Sequence, residues 1–176
     1  PRLALHKRTV VQAVDPLCLY DRCGVEDLGV ARLLVPNSQF NLASNLDFAE
    51  HRTWQIALVP KVSSNRDIAP IAVNNFSLNV LAGYTRGLEG FEVGGVANLE
   101  SHDVRGLQIA GFTNLVGRNT NGVQLAGAIN HTMRTFEGLQ LVGFGNTVWD
   151  TLSGVQIAGG ANVVKGGLKG VQIAGG

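Results

Sequence analysis

The hexapeptide GLQIAG at residues 106–111 recurs four more times, each copy sixteen residues after the last. The later copies are GVQLAG at 122–127, GLQLVG at 138–143, GVQIAG at 154–159 and GVQIAG at 170–175, and a looser copy, GFEVGG, stands at 90–95. A fixed period of this length is typical of a repeat protein, in which each unit buries its side chains only against its neighbours.

Further columns of equivalent residues share this period. An asparagine follows the second glycine of the copies by three residues, at Asn98, Asn114, Asn130, Asn146 and Asn162. The second glycines are Gly95, Gly111, Gly127, Gly143, Gly159 and Gly175, and we interpret them as turn or close-packing positions. An apolar residue precedes the first glycine by two positions, at Leu88, Val104, Phe136, Leu152 and Leu168, with Thr120 as the exception. Each unit therefore contains two apolar stretches.

The alternation within each hexapeptide predicts a β-strand. Val or Leu and Ile or Leu face one side, while Gln and Ala face the other. A helix would need apolar spacings of three and four, and two glycines in each unit oppose one. We predict an all-β fold, a β-solenoid of about six sixteen-residue rungs. The aliphatic columns are expected to form its core, and stacked amides to form ladders. The predicted glutamine ladder comprises Gln108, Gln124, Gln140, Gln156 and Gln172.

A transmembrane barrel of hairpins, or an open sheet, is the alternative. A barrel strand needs about 9 to 11 residues to cross the apolar layer. A hairpin of sixteen residues leaves about eight for each strand together with its turn, which is short for a membrane-crossing strand. The six aromatic residues after residue 80 also fall at no repeating pair of positions, as aromatic girdles would require. The pattern therefore favours the solenoid.

The composition changes near residue 70. Of 23 glycines, 21 lie from Gly83 onward, whereas all five prolines and both cysteines lie before it. We divide the chain into an irregular, partly β N-terminal region, residues 1–70, and the repeats, residues 71–176. Because the sequence starts without methionine and stops inside a repeat, we expect a piece of a longer chain with further repeats.

Local signals in the N-terminal half are weaker. Residues 9–14 and 53–59 have the character of strands, and residues 75–83 alternate like a degenerate first rung. Residues 25–34 fit either a helical turn or a strand, and the Asn- and Ser-rich segment 37–45 is interpreted as loop or short edge pieces.

Charge and cysteine usage limit the possible functions. Fourteen basic and thirteen acidic residues are scattered without a basic run, which argues against a nucleic-acid partner. Cys18 and Cys23 are compatible with a small disulfide loop or with two unrelated thiols, and no histidine cluster accompanies them to form a zinc site. No apolar run reaches the roughly 18 residues of a membrane-spanning helix.

The repeats resemble the surface-repeat proteins of Bacteroidota and some spirochaetes, whose chains carry G-[VF]-Q-[IFL]-A-G-L-x-N. The match lies in residues 106–114, 122–130, 138–146 and 154–162, and a similar lead-in extends the resemblance to about residues 53–176. The usual Leu-Val before the asparagine is replaced here, for example by Phe112-Thr113. The resemblance implies an exported protein of the bacterial outer membrane or cell surface, and no enzyme activity.

Few residues suggest chemistry. His102 and Asp103 occupy a turn position and are interpreted as solvated, and Glu92, in the first glutamine position, is expected on a solvent-facing or capped rung. The glutamine column offers a possible glycan-binding face, although a structural ladder is the preferred interpretation. We predict no metal site, cofactor or catalytic residues.

Two functions follow from these patterns. The first is a non-catalytic scaffolding or adhesive module that contacts other envelope proteins or a larger assembly. The alternative is an outer-membrane barrel or transporter component, in which the repeats would be associated with the membrane.

Overall fold

The computed structural model of the chain describes residues 24–46 and 48–176. The predictions for residues 9–14 and for Cys18 and Cys23 lie outside these ranges. The helices are a 3₁₀ helix (Val25–Asp27), α1 (Gly29–Leu34), α2 (Asn37–Asn45) and a second 3₁₀ helix (Arg66–Ile71). The strands are β1 (Glu50–Val59), β2 (Val62–Ser63), β3 (Ala72–Asn79), β4 (Ala82–Thr85), β5 (Gly87–Gly94), β6 (Ala97–Glu100), β7 (Val104–Ala110), β8 (Thr113–Val116), β9 (Thr120–Ala126), β10 (Ile129–Thr132), β11 (Phe136–Val142), β12 (Gly145–Val148), β13 (Leu152–Ala158), β14 (Ala161–Val164) and β15 (Leu168–Ala174).

These strands form two sheets, and the chain passes from one to the other twice in every rung. The long sheet has the order β15-β13-β11-β9-β7-β5-β3-β1-β2, and the short sheet has the order β14-β12-β10-β8-β6-β4. Neighbouring repeat strands are parallel and paired sixteen residues apart, so that Gln108 stands beside Gln124 and Asn114 beside Asn130. The predicted β-solenoid is confirmed.

The N-terminal segment differs from the sequence-based prediction. Residues 37–45, interpreted as loop or short edge pieces, form α2, and residues 25–34, left open between helix and strand, are helical. Both helices pack on the outer face of the short sheet, where the Phe40 ring meets Tyr84 edge-on with centroids 5.2 Å apart. Tertiary packing thus outweighs the weak helix propensity of Asn and Ser.

The predicted strand at 53–59 is confirmed within β1. Its register continues the repeats, because Trp54 pairs with Phe76 of β3 in parallel. Strand β1 therefore belongs to the same sheet as the rungs, although it precedes the change of composition near residue 70.

The long sheet turns the opposite face inward from the one predicted. Gln108, Gln124, Gln140 and Gln156 are fully buried, whereas Leu141 is 43% exposed and Ile173 53%. The prediction that the hexapeptide aliphatic residues form the core is therefore wrong. Each buried glutamine from Gln108 onward accepts a hydrogen bond from the next one. Burial therefore leaves these amides satisfied, and strand alternation then places the aliphatic residues outside.

The apolar core is formed by the second apolar column. Leu88 and Val104 cluster with Val116 of the short sheet, and Phe136 and Leu152 cluster with Val148. Between the two clusters, buried Thr120 lies 3.2 Å from Thr132, Oγ1 to Oγ1. The single polar residue in the column is therefore matched by a polar residue across the sheets.

Candidate functional site

The glutamine column forms a continuous hydrogen-bonded ladder inside the solenoid. Gln124 Nε2 donates to Gln108 Oε1 at 2.8 Å, Gln140 to Gln124 at 2.7 Å, and Gln156 to Gln140 at 2.6 Å. Gln172 continues the ladder by donating to Gln156 at 2.6 Å. A glycan cannot reach the four fully buried members, so the predicted glycan face does not lie on this column.

The asparagine column forms a second ladder on the short sheet. Asn98 Nδ2 donates to Asn114 Oδ1 at 3.0 Å, and the same contact recurs up to Asn146 and Asn162 at 2.8 Å. Each Nδ2 also donates to a backbone carbonyl of the following long strand, such as that of Ile109 for Asn98. The ladder therefore also fastens the turn between the two sheets.

The second glycines lie where consecutive turns stack too closely for a side chain. A Cβ on Gly111 would overlap the carbonyl oxygen of Gly95, and one on Gly127 would overlap that of Gly111. Only glycine allows this spacing, so the column is structural.

The rung formed by β5 and β6 has a carboxyl group at one amide position and at one apolar position of the interior, where the next rung has Gln108 and Val116. Glu92, expected at a solvent-facing or capped rung, is instead 1% exposed, and Glu100 of the short sheet is fully buried. Glu92 accepts from Asn79 Nδ2 at 2.8 Å and from Gln108 Nε2 at 3.0 Å, and Gln108 Nε2 also lies 2.5 Å from Glu100 Oε2. The prediction for Glu92 is wrong because this network satisfies its carboxylate without water.

Ionisation of Glu100 is disfavoured where the two carboxyl groups meet. Burial, followed by the charge of Glu92 and a hydrogen bond to it, raises the pKa of Glu100 well above its usual range, and the Gln108 amide opposes this only in part. Within the described chain the buried Glu100 Oε1 has no hydrogen-bond partner. The protonated form of Glu100 carries no charge, so it avoids both the burial of a charge and the repulsion by Glu92.

We expect Glu100→Gln to raise the free energy of unfolding at pH 7, because an uncharged amide replaces a carboxyl group whose ionisation is opposed by burial and by Glu92. In the unfolded chain Glu100 ionises near 4.5, below its folded pKa. Its favourable contribution is thus fully present below pH 4.5 and is lost as the pH rises towards the folded pKa, by at most about 1.4 kcal/mol per pH unit. Urea unfolding of the wild type and Glu100→Gln from pH 4.5 to 8 measures the difference. The difference should widen with pH, and a constant difference would contradict the raised pKa of Glu100.

Two features make that comparison specific. Glu50→Gln removes a half-exposed carboxylate, and its difference from wild type should not widen with pH.

The titration of His131 does not disturb the comparison. Burial, and secondarily Lys165, lowers the pKa of His131 to about 4. Its contribution is present above pH 6.5 and lost as the pH falls through 4, opposite in sign to that of Glu100. Because both proteins keep His131, subtraction at each pH removes its effect.

A polar cleft of about 270 Å³ lies where the turns after the short strands meet the long sheet. Its acidic groups are held by neighbours. Asp103 Oδ1 accepts from the Asn119 backbone N and Nδ2, both at 3.0 Å, and Glu89 lies 3.6 Å from Arg105. His102 is half-buried, with Nδ1 3.0 Å from Ser101 Oγ. These contacts link successive turns, which favours a structural role for the His102–Asp103 turn over acid–base chemistry.

The outer surface of the long sheet carries two parallel columns of apolar side chains, here called the apolar face. One column comprises Trp54, Phe76, Phe91, Leu107, Val123, Leu139, Val155 and Val171, and the other Ile56, Leu78, Val93, Ile109, Leu125, Leu141, Ile157 and Ile173. Trp54 is 57% exposed and Ile56 48%. Phe76, Leu78, Leu141, Val171 and Ile173 are also exposed, and the other nine members are half-buried between their stacked neighbours.

A polar column, here called the charged stripe, borders the apolar face. It runs through Glu89, Arg105, Asn121, Glu137, Ser153 and Lys169. Within one chain Arg105 pairs with Glu89, and Asn121 Nδ2 donates to Glu137 at 2.9 Å. The stripe has as many acidic as basic members, so it carries no net charge.

The apolar face and the Glu92–Glu100 pair were both missed by sequence reasoning. One signal for the first was present. The glutamine position is uniform from Gln108 onward, while the flanking positions vary between Val and Leu or between Ile and Leu. Uniformity fits an interior ladder, and variation in size fits an outer surface. The proximity of Glu92 and Glu100 could not be predicted without knowing how the two sheets are placed relative to each other.

Other kinds of site are not seen in residues 24–46 and 48–176. No group of three or more His, Cys, Asp or Glu side chains is arranged there to hold a metal ion. The helices in these ranges also lack the length and apolar character that would cross a membrane.

Comparison with protein-family models, curated proteins and solved structures finds no match. The functional assignment therefore depends on the geometry of the chain and on the repeat motif.

Proposed function

We propose that this chain is a non-catalytic structural module of an exported bacterial envelope protein, a stiff β-rod that scaffolds or adheres to other proteins through its apolar face. The observation that carries the proposal is the apolar face itself, two columns of outward side chains across eight consecutive strands. Contiguous apolar surface of this extent is typical of an interaction site. The envelope location is supported by the resemblance of the repeats.

The interior supports a structural role. Amide ladders and turn contacts join equivalent side chains of successive rungs, and these repeated contacts stiffen the rod along its axis. The acidic residues of the cleft are engaged in contacts with neighbouring rungs, Asp103 with Asn119 and Glu89 with Arg105. A rigid platform with an apolar outer surface is suited to holding partners in place.

Substituting one side chain at the centre of the apolar face tests this function. We expect the wild-type chain to migrate on native gels of envelope extracts as an assembly larger than one chain, and Leu141→Glu to migrate mainly as the single chain. A charge on this face would have to be buried without a partner on association. Carbonate washing should release both proteins from the membrane fraction.

Val163→Glu is the matched control. Val163 lies on the outer surface of the short sheet and is 46% exposed, close to the 43% of Leu141. The control should retain the wild-type assembly. A wild-type chain that runs alone, or equal migration of the two variants, would overturn the scaffolding role. Retention in the carbonate-washed membrane until detergent is added would favour membrane association instead.

A further inference from the structure

The size of the apolar face fits one further copy of the same surface. Strands about 4.8 Å apart give the six repeat strands β5 to β15 of the long sheet a height of roughly 29 Å, and three outward positions give a width of roughly 20 Å. The projected area is then roughly 600 Å² per chain, or roughly 1,200 Å² for two facing copies, the lower end of the range for specific interfaces. Flat sheets also pack face to face about 10 Å apart, so an identical sheet fits geometrically.

The charged stripe has a pattern that complements itself when reversed. From β5 to β15 it reads acidic, basic, neutral, acidic, neutral, basic, at Glu89, Arg105, Asn121, Glu137, Ser153 and Lys169. A two-fold axis parallel to the strands, between β9 and β11, places Glu89 opposite Lys169 of the second copy. It also places Arg105 opposite Ser153, and Asn121 opposite Glu137. No like charges meet.

Other arrangements of two copies are worse. Shifting the two-fold axis to lie between β7 and β9, which would overlap all eight strands, puts Glu89 opposite Glu137. Turning the axis parallel to the solenoid places the charged stripe of one copy against the far edge of the other copy's face, where the flanking side chains Phe112 and Phe144 are exposed and apolar. The antiparallel, six-strand overlap avoids both penalties.

We propose that the apolar face is covered by a second copy of this chain, in a two-fold symmetric pair with facing long sheets and antiparallel solenoid axes. This rests on the proposed function and names its partner. In the pair the apolar columns form the dry centre, and the charged stripes form a polar rim. Leu141 of each copy faces Leu125 of the other, next to the axis. A lipid surface is less suited to the face, because the stripe beside it has no net charge with which to attract anionic headgroups.

Sedimentation equilibrium of the purified 176-residue chain tests the pair directly. Because the interface is at the small end of the specific range, we expect a reversible monomer–dimer equilibrium between about 1 and about 500 µM. Leu141→Glu should weaken association roughly 100-fold or more, because two carboxylates would be buried at the axis. Val163→Glu should leave the association constant within about threefold of wild type.

A charge exchange tests the register. At low salt, Lys169→Glu should weaken the dimer roughly tenfold, because the new carboxylate of each copy then lies opposite Glu89 of the other. Glu89→Lys combined with Lys169→Glu should restore association to within about threefold of wild type. An effect of Lys169→Glu on folding alone would not be reversed by a second change on the opposite end of the stack. Failure of the double variant to restore the dimer would overturn this register and the proposal.

The remaining outcomes distinguish failure of the proposed pair from failure of the proposed scaffolding function. A chain that stays monomeric at every concentration overturns the second copy. If the envelope assembly nevertheless persists and is sensitive to Leu141→Glu, a different protein covers the face and the scaffolding role stands. If neither assembly is found, both proposals fail. A monomer that floats with neutral phosphatidylcholine vesicles also overturns the pair and assigns the face to a membrane.

Discussion

Gly122→Ala is expected to lower the free energy of unfolding by about 4 kcal/mol, combining a strained backbone with a steric overlap. Gly122 has φ +142°, a region that side-chain-bearing residues rarely adopt, and a Cβ there would overlap the backbone carbonyl oxygen of Gly106. Backbone in the middle of a stack cannot move aside without breaking the pairing of β7 with β9. Urea unfolding followed by tryptophan fluorescence gives the loss.

Gly167→Ala is the matched control. A Cβ on Gly167 would find its nearest atoms on the Thr151 side chain at 3.5 Å, an ordinary contact, and its φ is not in the positive region. This variant should stay within about 1 kcal/mol of wild type. Equal losses at the two positions would show that stacking tolerates a methyl group at the first glycine, contrary to the geometry.

Gln124→Met is expected to destabilise the chain by about 3 kcal/mol, because it interrupts the glutamine ladder while nearly preserving volume. Gln108 Oε1 loses its donor, and Gln140 Nε2 loses its acceptor, both in the fully buried interior. Thr132 Oγ1 also loses its 3.4 Å contact with Gln124 Oε1. The measurement is again the urea midpoint at constant pH.

The same substitution at Gln172 distinguishes the loss of ladder hydrogen bonds from the replacement of glutamine by methionine as such. Gln172 is only partly buried and donates to Gln156 alone, so Gln172→Met removes one contact near solvent. A loss below about 1 kcal/mol is expected there. If the two substitutions cost the same, the hydrogen bonds of the ladder add little beyond packing.

The architecture followed from the sequence because period and alternation are both local. Sixteen-residue spacing brings like residues together in any stacked fold, and the strand between Gly122 and Gly127 alternates too regularly for a helix. Alternation defines two faces, however, without stating which one is inside. Burying an amide normally costs free energy, and for that reason the aliphatic face was predicted to be the core. A ladder such as Gln108 to Gln124 removes most of that cost, because each amide finds a partner inside.

The remaining features depend on contacts that are distant in sequence. Helix α2 is stabilised by Phe40 against Tyr84 and by Gln39 Nε2 donating to the Pro60 carbonyl at 2.6 Å, neither of which a local pattern reveals. The Glu92–Glu100 pair arises because the chain crosses from the long to the short sheet between the two residues. The apolar face was visible in the sequence as a column of residues, but its exposure became evident only with the inward direction of the glutamines.

The two amide ladders run in opposite senses along the rod. Every glutamine donates its N–H towards the amino-terminal rung, beginning with Gln108 to Glu92, while every asparagine donates towards the carboxy-terminal rung, beginning with Asn79 to Asn98. A carboxylate only accepts, so Glu92 fixes the orientation of every glutamine amide that follows. Because the aligned amide dipoles of one column oppose those of the other, their fields largely cancel. A rod of this design can therefore lengthen by whole rungs without accumulating an electric moment along its axis.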